Sequence, residues 1–205
     1  YETLRRGRTA LVLVPEISLT PQLMRLFSSH FGEQIAVLHS SLRAGERYDE
    51  WKRIKAGEAR VVIGTRSAVF APLKDLGLIV LDEEQEGTYQ SENVPKYHAR
   101  DVAKFRCVQH KALLLLASAP PSIEPIYQAR PGANQRVTLK PRYNQRPLPP
   151  VESVDMKGEL RSGNGTDLSG VLTWARADTA ERGEQAILLR NRRGASRMVS
   201  CGECG

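Results

Sequence analysis

The sequence has no apolar run close to the roughly 18 residues needed to cross a bilayer, and no secretory leader opens it. These absences argue against a membrane protein and a secreted one, so we expect a cytoplasmic protein with no membrane partner. Internal repeats are also missing, which argues against a fold built from repeated units.

A phosphate-binding loop is missing as well. Many nucleotide hydrolases bind phosphates with the backbone amides of Gly-x-x-x-x-Gly-Lys-Ser/Thr, yet none of the 16 glycines here precedes a lysine. The chain begins with Tyr1 rather than Met, and its first residues resemble the end of a helix. We therefore expect a fragment whose phosphate loop lies upstream of Tyr1.

Positive charge is in excess, with 30 Lys and Arg against 23 Asp and Glu and a net charge of +7. Such an excess suits a partner that carries phosphates, because each neutralised phosphate releases counterions. It also occurs in proteins that bind no nucleic acid. Hydrophobic residues make up 40% of the chain, enough for a folded core.

Apolar runs alternate with amphipathic stretches, as in an α/β fold with a parallel sheet. Helix signals include Thr20-Pro21 as a start, glycines 32 and 57 as stops, and a pattern over Ala99–Gln109. The predicted strands are Ala10–Val14, Ile35–His39, Val61–Thr65, Leu78–Asp82 and Ala112–Ser118.

After Glu124 the sequence loses this alternation. Residues 130–150 hold five prolines and little periodicity, which predicts a linker between a domain at 1–129 and the start of another at 151–205. In the second part we predict strands at Val151–Met156 and Gln185–Leu189, a loop at Gly158–Gly170 and a helix at Leu168–Arg182.

The segment Gly77-Leu-Ile-Val-Leu-Asp82-Glu83-Glu84-Gln85 ends an apolar strand in three acids. Ligands of parallel sheets bind at the carboxyl ends of the strands, and this pattern is typical of the Walker B element. We predict that Asp82 holds Mg²⁺ and that Glu83 orients the attacking water. The alternative is a strand that runs into an acidic surface loop.

Two other strand ends are rich in polar groups. Pro15, Glu16 and Thr20 lie at a turn that opens a helix, whose amides could bind a phosphate of a DNA strand. Gly64, Thr65, Arg66 and Ser67 offer hydroxyls and a guanidinium to a sugar-phosphate backbone. Either segment alone could be an ordinary turn.

Of the three cysteines, Cys107 lies in a helical pattern and is interpreted as a small buried residue. Cys201 and Cys204 form Cys-Gly-Glu-Cys, which is half of a tetrahedral zinc site or an unused pair of thiols.

These segments resemble, in order, motifs of the PriA-type helicases, a branch of helicase superfamily 2 that restarts replication. Leu13-Val-Pro-Glu-Ile-x-Leu-Thr-Pro-Gln22 is similar to motif Ia, and Val62-Ile-Gly-Thr-Arg-Ser-Ala68 to motif Ib. Asp82-Glu83-Glu84 followed by Tyr97-His98-Ala99-Arg100-Asp101 resembles motif II and its trailing loop. Ser118-Ala119 stands in the place of motif III, and Asn191-Arg-Arg-Gly194 before Cys201 resembles the start of a zinc module.

The resemblance implies a RecA-like first helicase lobe without its phosphate loop, followed by the start of a second lobe. It implies an ATP-dependent 3′-to-5′ DNA helicase that uses ATP, Mg²⁺ and Zn²⁺ in the bacterial cytoplasm, at the nucleoid. The implied partners are forked or single-stranded DNA, single-strand-binding protein and primosome proteins. From this chain alone we expect no ATPase activity, because phosphate anchoring is absent.

Two residues depart from the family pattern. Gln85 replaces the usual His at the position that links the nucleotide site to the DNA-facing motifs, and Pro120 replaces the Thr of Ser-Ala-Thr. Proline loses a hydroxyl and an N–H, so the coupling assigned to Ser118, Ala119 and residue 120 is in question. Two alternatives stay open: a DNA-binding module without catalysis, and another superfamily 2 DNA translocase.

Overall fold

The computed structural model describes residues 1–130, 134–139 and 147–189. The chain divides into two compact units, residues 1–138 and 139–205. The division falls inside the stretch predicted as a linker, and the described part of that stretch contains neither helix nor strand.

The first unit alternates strands and helices. Its strands are β1 (Thr9–Leu13), β2 (Ile35–Leu38), β3 (Val61–Gly64), β4 (Leu76–Leu81) and β5 (Leu113–Leu116). Its helices are α1 (Glu2–Arg5), α2 (Pro21–Phe31), α3 (Ala44–Ala56), α4 (Ala99–His110) and α5 (Ile123–Ala129), and short 3₁₀ turns cover Glu16–Ser18, Gly32–Gln34, Arg66–Phe70 and Gly87–Tyr89.

The five strands form one parallel sheet in the order β2-β3-β1-β4-β5. The predicted α/β class and all five predicted strands of this unit are therefore confirmed. In a parallel sheet every strand ends at the same edge, and ladder bonds continue past the strand ends there. Asp82 N donates to Leu13 O at 2.9 Å, and Ala117 N donates to Leu81 O at 2.8 Å. The segments that follow the strands thus meet along one edge.

The central strands are buried on both faces, which explains their near-continuous apolar sequences. Leu11, Leu13, Ile63, Ile79 and Leu81 are fully inaccessible to solvent. Burying a side chain of this size contributes about 1.5–3 kcal/mol relative to leaving it exposed. This core holds the polar edge of the sheet on a rigid base.

The predicted helix boundaries of this unit are confirmed. Thr20 caps α2, since its hydroxyl oxygen accepts the N–H of Leu23 at 3.3 Å. Gly32 and Gly57 end α2 and α3 with φ of 56° and 88°, in the left-handed region that glycine adopts without steric cost.

The second unit differs from the prediction. It contains α6 (Met156–Arg161) and α7 (Gly170–Glu181), so the helix predicted at Leu168–Arg182 is confirmed. The strand predicted at Val151–Met156 is wrong: Asp155 caps α6 through the N–H of Lys157 at 3.0 Å, and α6 also takes up part of the loop predicted at Gly158–Gly170. The strand predicted at Gln185–Leu189 is wrong too.

These two errors have one physical reason. A strand is stable only when its backbone groups are paired, and the described residues of the second unit offer no partner strand. Ile187 and Leu189 are 97% and 92% exposed. No helix among the described residues is long and apolar enough to cross a membrane.

Candidate nucleotide and DNA site

Asp82 and Glu83 follow directly after β4, between the ends of β1 and β5. The Asp82 side chain is exposed at this edge, and its Oδ1 accepts the N–H of Glu83 at 3.0 Å. Glu83 has φ of 47°, a left-handed conformation that is uncommon for residues other than glycine. Strained backbone of this kind concentrates at functional sites, so the turn favours the predicted Walker B role over an ordinary acidic loop.

Tyr89 fixes the backbone of this turn, a contact that sequence analysis did not predict. Its side chain is fully buried, and its hydroxyl donates to Asp82 O at 2.7 Å. Burial, together with the charges of Asp82, Glu83 and Glu86, raises the pKa of Tyr89. The phenol therefore stays protonated and continues to donate.

Gln85 joins the acids to the segment after β5. Its Nε2 donates to Glu83 Oε2 at 2.7 Å, and its Oε1 accepts the Ser118 hydroxyl at 2.5 Å. The same hydroxyl lies within reach of Pro120 O, and Ala119 and Pro120 are exposed beside it. The structure thus links Gln85 and Ser118, two of the residues predicted to couple the two sites, by hydrogen bonds, with Ala119 and Pro120 next to them in sequence.

Glu84, the third acid, does not face the edge. Its side chain is 1% exposed and accepts the Ser122 N–H at 2.7 Å, the Ser122 hydroxyl at 2.9 Å and Arg100 Nη1 at 3.3 Å. This group, here called the Glu84 clamp, joins the turn after β4, the start of α4 and the segment after Ser118. Sequence analysis missed its role because three adjacent acids look equivalent in sequence.

Five of the seven predicted DNA-binding residues line a small open cleft of about 120 Å³ at the same edge. Pro15, Glu16, Thr65, Arg66 and Ser67 are among its walls. Two predicted residues are not. Thr20 caps α2 instead, and Gly64 packs under the cleft, where an added Cβ would lie 2.2 Å from Leu38 O.

Ser40 also lines the cleft, and sequence analysis did not assign it to the site. Its hydroxyl donates to the Glu16 carboxylate across the ends of β2 and β1. The signal that could have found it is its position two residues after the end of a buried strand.

Arg66 makes contacts within the chain that the prediction did not include. Its Nη1 donates to Thr88 O at 3.1 Å and to Gln90 O at 2.7 Å, and its guanidinium lies 5.9 Å from the Tyr97 ring centroid. Arg66 Nε is buried without a hydrogen-bond partner in the described part of the chain. This side chain therefore holds the loop that follows Gln85 while it lines the cleft.

Comparison with known proteins decides the family. The family of DEAD/DEAH box helicases matches residues 2–128. The chain belongs to this family. The protein named Replication restart protein PriA in Bacillus subtilis (strain 168) is 47% identical over 204 residues, covering 100% of this chain and 25% of that protein. Its counterpart in Synechocystis sp. is 46% identical over 209 residues, with 100% and 25% coverage. The predicted resemblance to PriA-type helicases is confirmed.

The chain spans about a quarter of the length of these curated relatives. Among solved structures, the C-terminal domain of the DEAD-box protein Dbp5 aligns with 65% of this chain and 78% of that chain, with a TM-score of 0.40 and 14% identity. The parallel sheet itself, rather than this likeness, establishes the fold class.

In a DEAD/DEAH box helicase the implied cofactors are ATP and Mg²⁺. No three His, Cys, Asp or Glu side chains are grouped for metal binding among the residues that the structure describes. Mg²⁺ commonly takes one or two carboxylates plus phosphate and water oxygens, so the exposed carboxylate of Asp82 fits as the protein's share. The predicted zinc ligands Cys201 and Cys204 lie outside the described residues.

Proposed function

We propose that this chain forms part of the first lobe of an ATP-dependent 3′-to-5′ DNA helicase that restarts stalled replication. The observation that carries the proposal is the meeting of two kinds of site at one sheet edge. The acids after β4 lie beside the segment after β1, whose Pro15 and Glu16 line the cleft.

In this proposal Asp82 holds Mg²⁺ and Glu83 orients the attacking water. The metal, when bound, would neutralise charge on the terminal phosphates. Tyr89 supports the task of Asp82 by holding its backbone carbonyl. Gln85 donates to one carboxylate oxygen of Glu83. In the proposal, the second oxygen, which Gln85 does not contact, accepts a hydrogen bond from the water.

Coupling would pass from Glu83 through Gln85 to Ser118. This path is supported by continuous hydrogen bonds. In it, glutamine would serve where the family pattern has histidine, because its amide both donates and accepts. Ser118 keeps its contact with Gln85 even though Pro120 follows, so the proline does not remove the link at Ser118.

The cleft would take a phosphate of single-stranded or forked DNA. Its hydroxyls on Ser40, Thr65 and Ser67, with Arg66 beside them, are donors that suit a sugar-phosphate backbone. Cys201 and Cys204 would supply part of a zinc site. Single-strand-binding protein and primosome proteins would be the further partners, in the cytoplasm near the nucleoid.

A hybrid protein tests the enzyme claim. In the hybrid, this chain replaces the matching 204 residues of the Bacillus subtilis relative, which supplies a sequence before Tyr1. We expect DNA-stimulated ATP hydrolysis from the hybrid and none from the chain alone, because the chain has no phosphate loop. Hydrolysis no faster than background in the hybrid would refute the enzyme claim.

A second candidate is a DNA-binding module without catalysis, which the net charge of +7 favours. It predicts salt-sensitive binding of single-stranded DNA by the chain, with an inactive hybrid. A third candidate is another superfamily 2 translocase, in which Cys201 and Cys204 bind no zinc. It predicts that the hybrid with both cysteines replaced by serine still hydrolyses ATP and binds as much zinc as the unmodified hybrid.

A further inference from the structure

Helix α3 carries a basic and aromatic face that the proposed cleft does not use. Arg47, Tyr48, Trp51, Lys52 and Lys55 form this outer face. At about 3.6 residues per turn they share an arc of about 140°. Tyr48 is 57% exposed and Trp51 is 38% exposed, whereas Ile54, just outside this arc beside Arg47, is 1% exposed and packs in the core.

Acidic side chains are absent from the outer face of α3. The three acids of the helix lie outside this arc, and each contacts a neighbouring group. Glu46 accepts the Arg43 N–H at 2.8 Å, and Glu50 accepts Arg53 Nη1 at 2.7 Å. Asp49 lies at the border of the face, 4.0 Å from Lys52 Nζ. The exposed charge of the face is therefore positive.

Each aromatic ring of the outer face is paired with a lysine. Lys52 Nζ lies 4.2 Å from the Tyr48 ring centroid, and Lys55 Nζ lies 4.8 Å from the Trp51 ring centroid. Each ammonium lies over the face of its ring. An aromatic ring can stack on a base, and an ammonium can move to pair with the adjacent phosphate. This is the combination by which proteins bind single strands without reading sequence.

The outer face begins next to the cleft. Arg47 Nη2 donates to Ser40 O at 3.3 Å and to Leu42 O at 3.4 Å, and Ser40 itself lines the cleft. The first turns of α3 thus continue the polar edge of the sheet beyond β2, the edge strand.

We propose that the outer face of α3 is a second contact for single-stranded DNA, which takes the nucleotides that leave the cleft at Ser40. This inference rests on the proposed function and extends its DNA-binding track. The occupant is a single strand, because a duplex would present its bases to each other and not to the rings of Tyr48 and Trp51. An acidic protein segment would use the lysines alone.

Oligonucleotide length separates the two contacts. Fluorescence anisotropy would measure binding of the 205-residue chain to labelled oligothymidylates of about 6 and about 15 nucleotides, within the range of single-strand site sizes. In the variant Tyr48→Ala/Trp51→Ala we expect the longer strand to bind about tenfold more weakly, from the loss of base stacking. The shorter strand should bind within about twofold of wild type, because the cleft suffices for it.

The salt dependence of DNA binding gives an independent test of the two lysines. Neutralising Lys52→Gln/Lys55→Gln should lower the slope of log affinity against log salt by about 1.4, at about 0.7 for each single-strand phosphate contact. The matched control is Lys74→Gln/Lys111→Gln, which removes the same charge at the opposite edge of the sheet, before β4 and β5. The control should leave the slope unchanged.

The fluorescence of Trp51 tests directly whether DNA contacts its indole ring. The chain has two tryptophans, so Trp174→Phe leaves Trp51 as the only one, and its emission should be quenched by oligothymidylate. Three results would overturn the inference: full binding of the longer strand by Tyr48→Ala/Trp51→Ala, an unchanged salt slope, or quenching by polyglutamate but not by DNA. Failure of the wild-type chain to bind either strand would instead remove the proposed DNA-binding function, and the outer face with it.

Discussion

The Glu84 clamp gives the sharpest stability prediction. Glu84→Ala removes a carboxylate whose side chain is 1% exposed and which pairs with Arg100, itself 13% exposed. The substitution leaves Arg100 with Ser122 Oγ at 3.1 Å and with Glu124, whose carboxylate is 3.9 Å away and mostly exposed. The Ser122 N–H loses its acceptor as well.

Breaking a buried ion pair by removing one partner costs about 3–5 kcal/mol, because the remaining charge is uncompensated. We therefore expect Glu84→Ala to lower the free energy of unfolding of the first unit by about 3–5 kcal/mol. Glu84→Gln keeps an oxygen for the Ser122 N–H and loses only the charge, so it should cost about 1–3 kcal/mol.

Urea unfolding followed by Trp51 fluorescence, in a Trp174→Phe background, measures these differences in the unit that contains the clamp. Glu86→Gln is the matched control, because Glu86 is exposed two residues away and such substitutions usually change stability by at most about 0.5 kcal/mol. A Glu84→Ala variant whose free energy of unfolding lies within about 0.5 kcal/mol of the parent, as for the control, would refute the clamp.

Three further predictions test other contacts. Gly64→Ala should prevent stable folding, since the added Cβ would lie 2.2 Å from Leu38 O. Gly45→Ala is the control: its Cβ would lie in open space within α3, and alanine should raise the thermal midpoint of unfolding. Burial and the neighbouring Arg100 lower the pKa of His98 below its ordinary 6.5, so stability should fall as pH drops below about 6.5 in urea titrations, and His98→Asn should remove that slope. In the hybrid, Gln85→Ala should abolish DNA stimulation of ATP hydrolysis while DNA binding measured by anisotropy is retained.

The sheet of the first unit was predictable because its central strands are buried on both faces, although the edge strand β5 leaves Leu113 64% exposed. A strand buried on both faces needs apolar residues at successive positions, as in Leu78–Leu81, and a polar turn follows it at the edge of the sheet. The run Ala186–Leu189 looks the same in sequence, and the mixed segment Val151–Met156 also resembles a strand. Pairing decides between strand and exposed segment, and pairing depends on residues far away in the chain, which no local pattern reveals.

The site was predictable to the level of segments and not of individual contacts. The acids after β4 and the polar turns after β1 and β3 meet at one edge, as parallel topology requires. Which acid is buried depends on α4 and on the segment around Ser122, so the distinct role of Glu84 was hidden. For the same reason the carbonyl contacts of Arg66 could not be read from its motif.

The most direct test of the central claim is the turnover of the hybrid when Glu83 becomes glutamine. The claim is that the Glu83 carboxylate, at the edge of the sheet, orients the water that attacks the nucleotide. We predict that Glu83→Gln lowers kcat by about 10²–10⁴-fold, with nucleotide affinity close to that of the parent hybrid, whereas Glu86→Gln leaves kcat unchanged. An unaltered kcat in Glu83→Gln, measured under saturating ATP and DNA, would contradict the account.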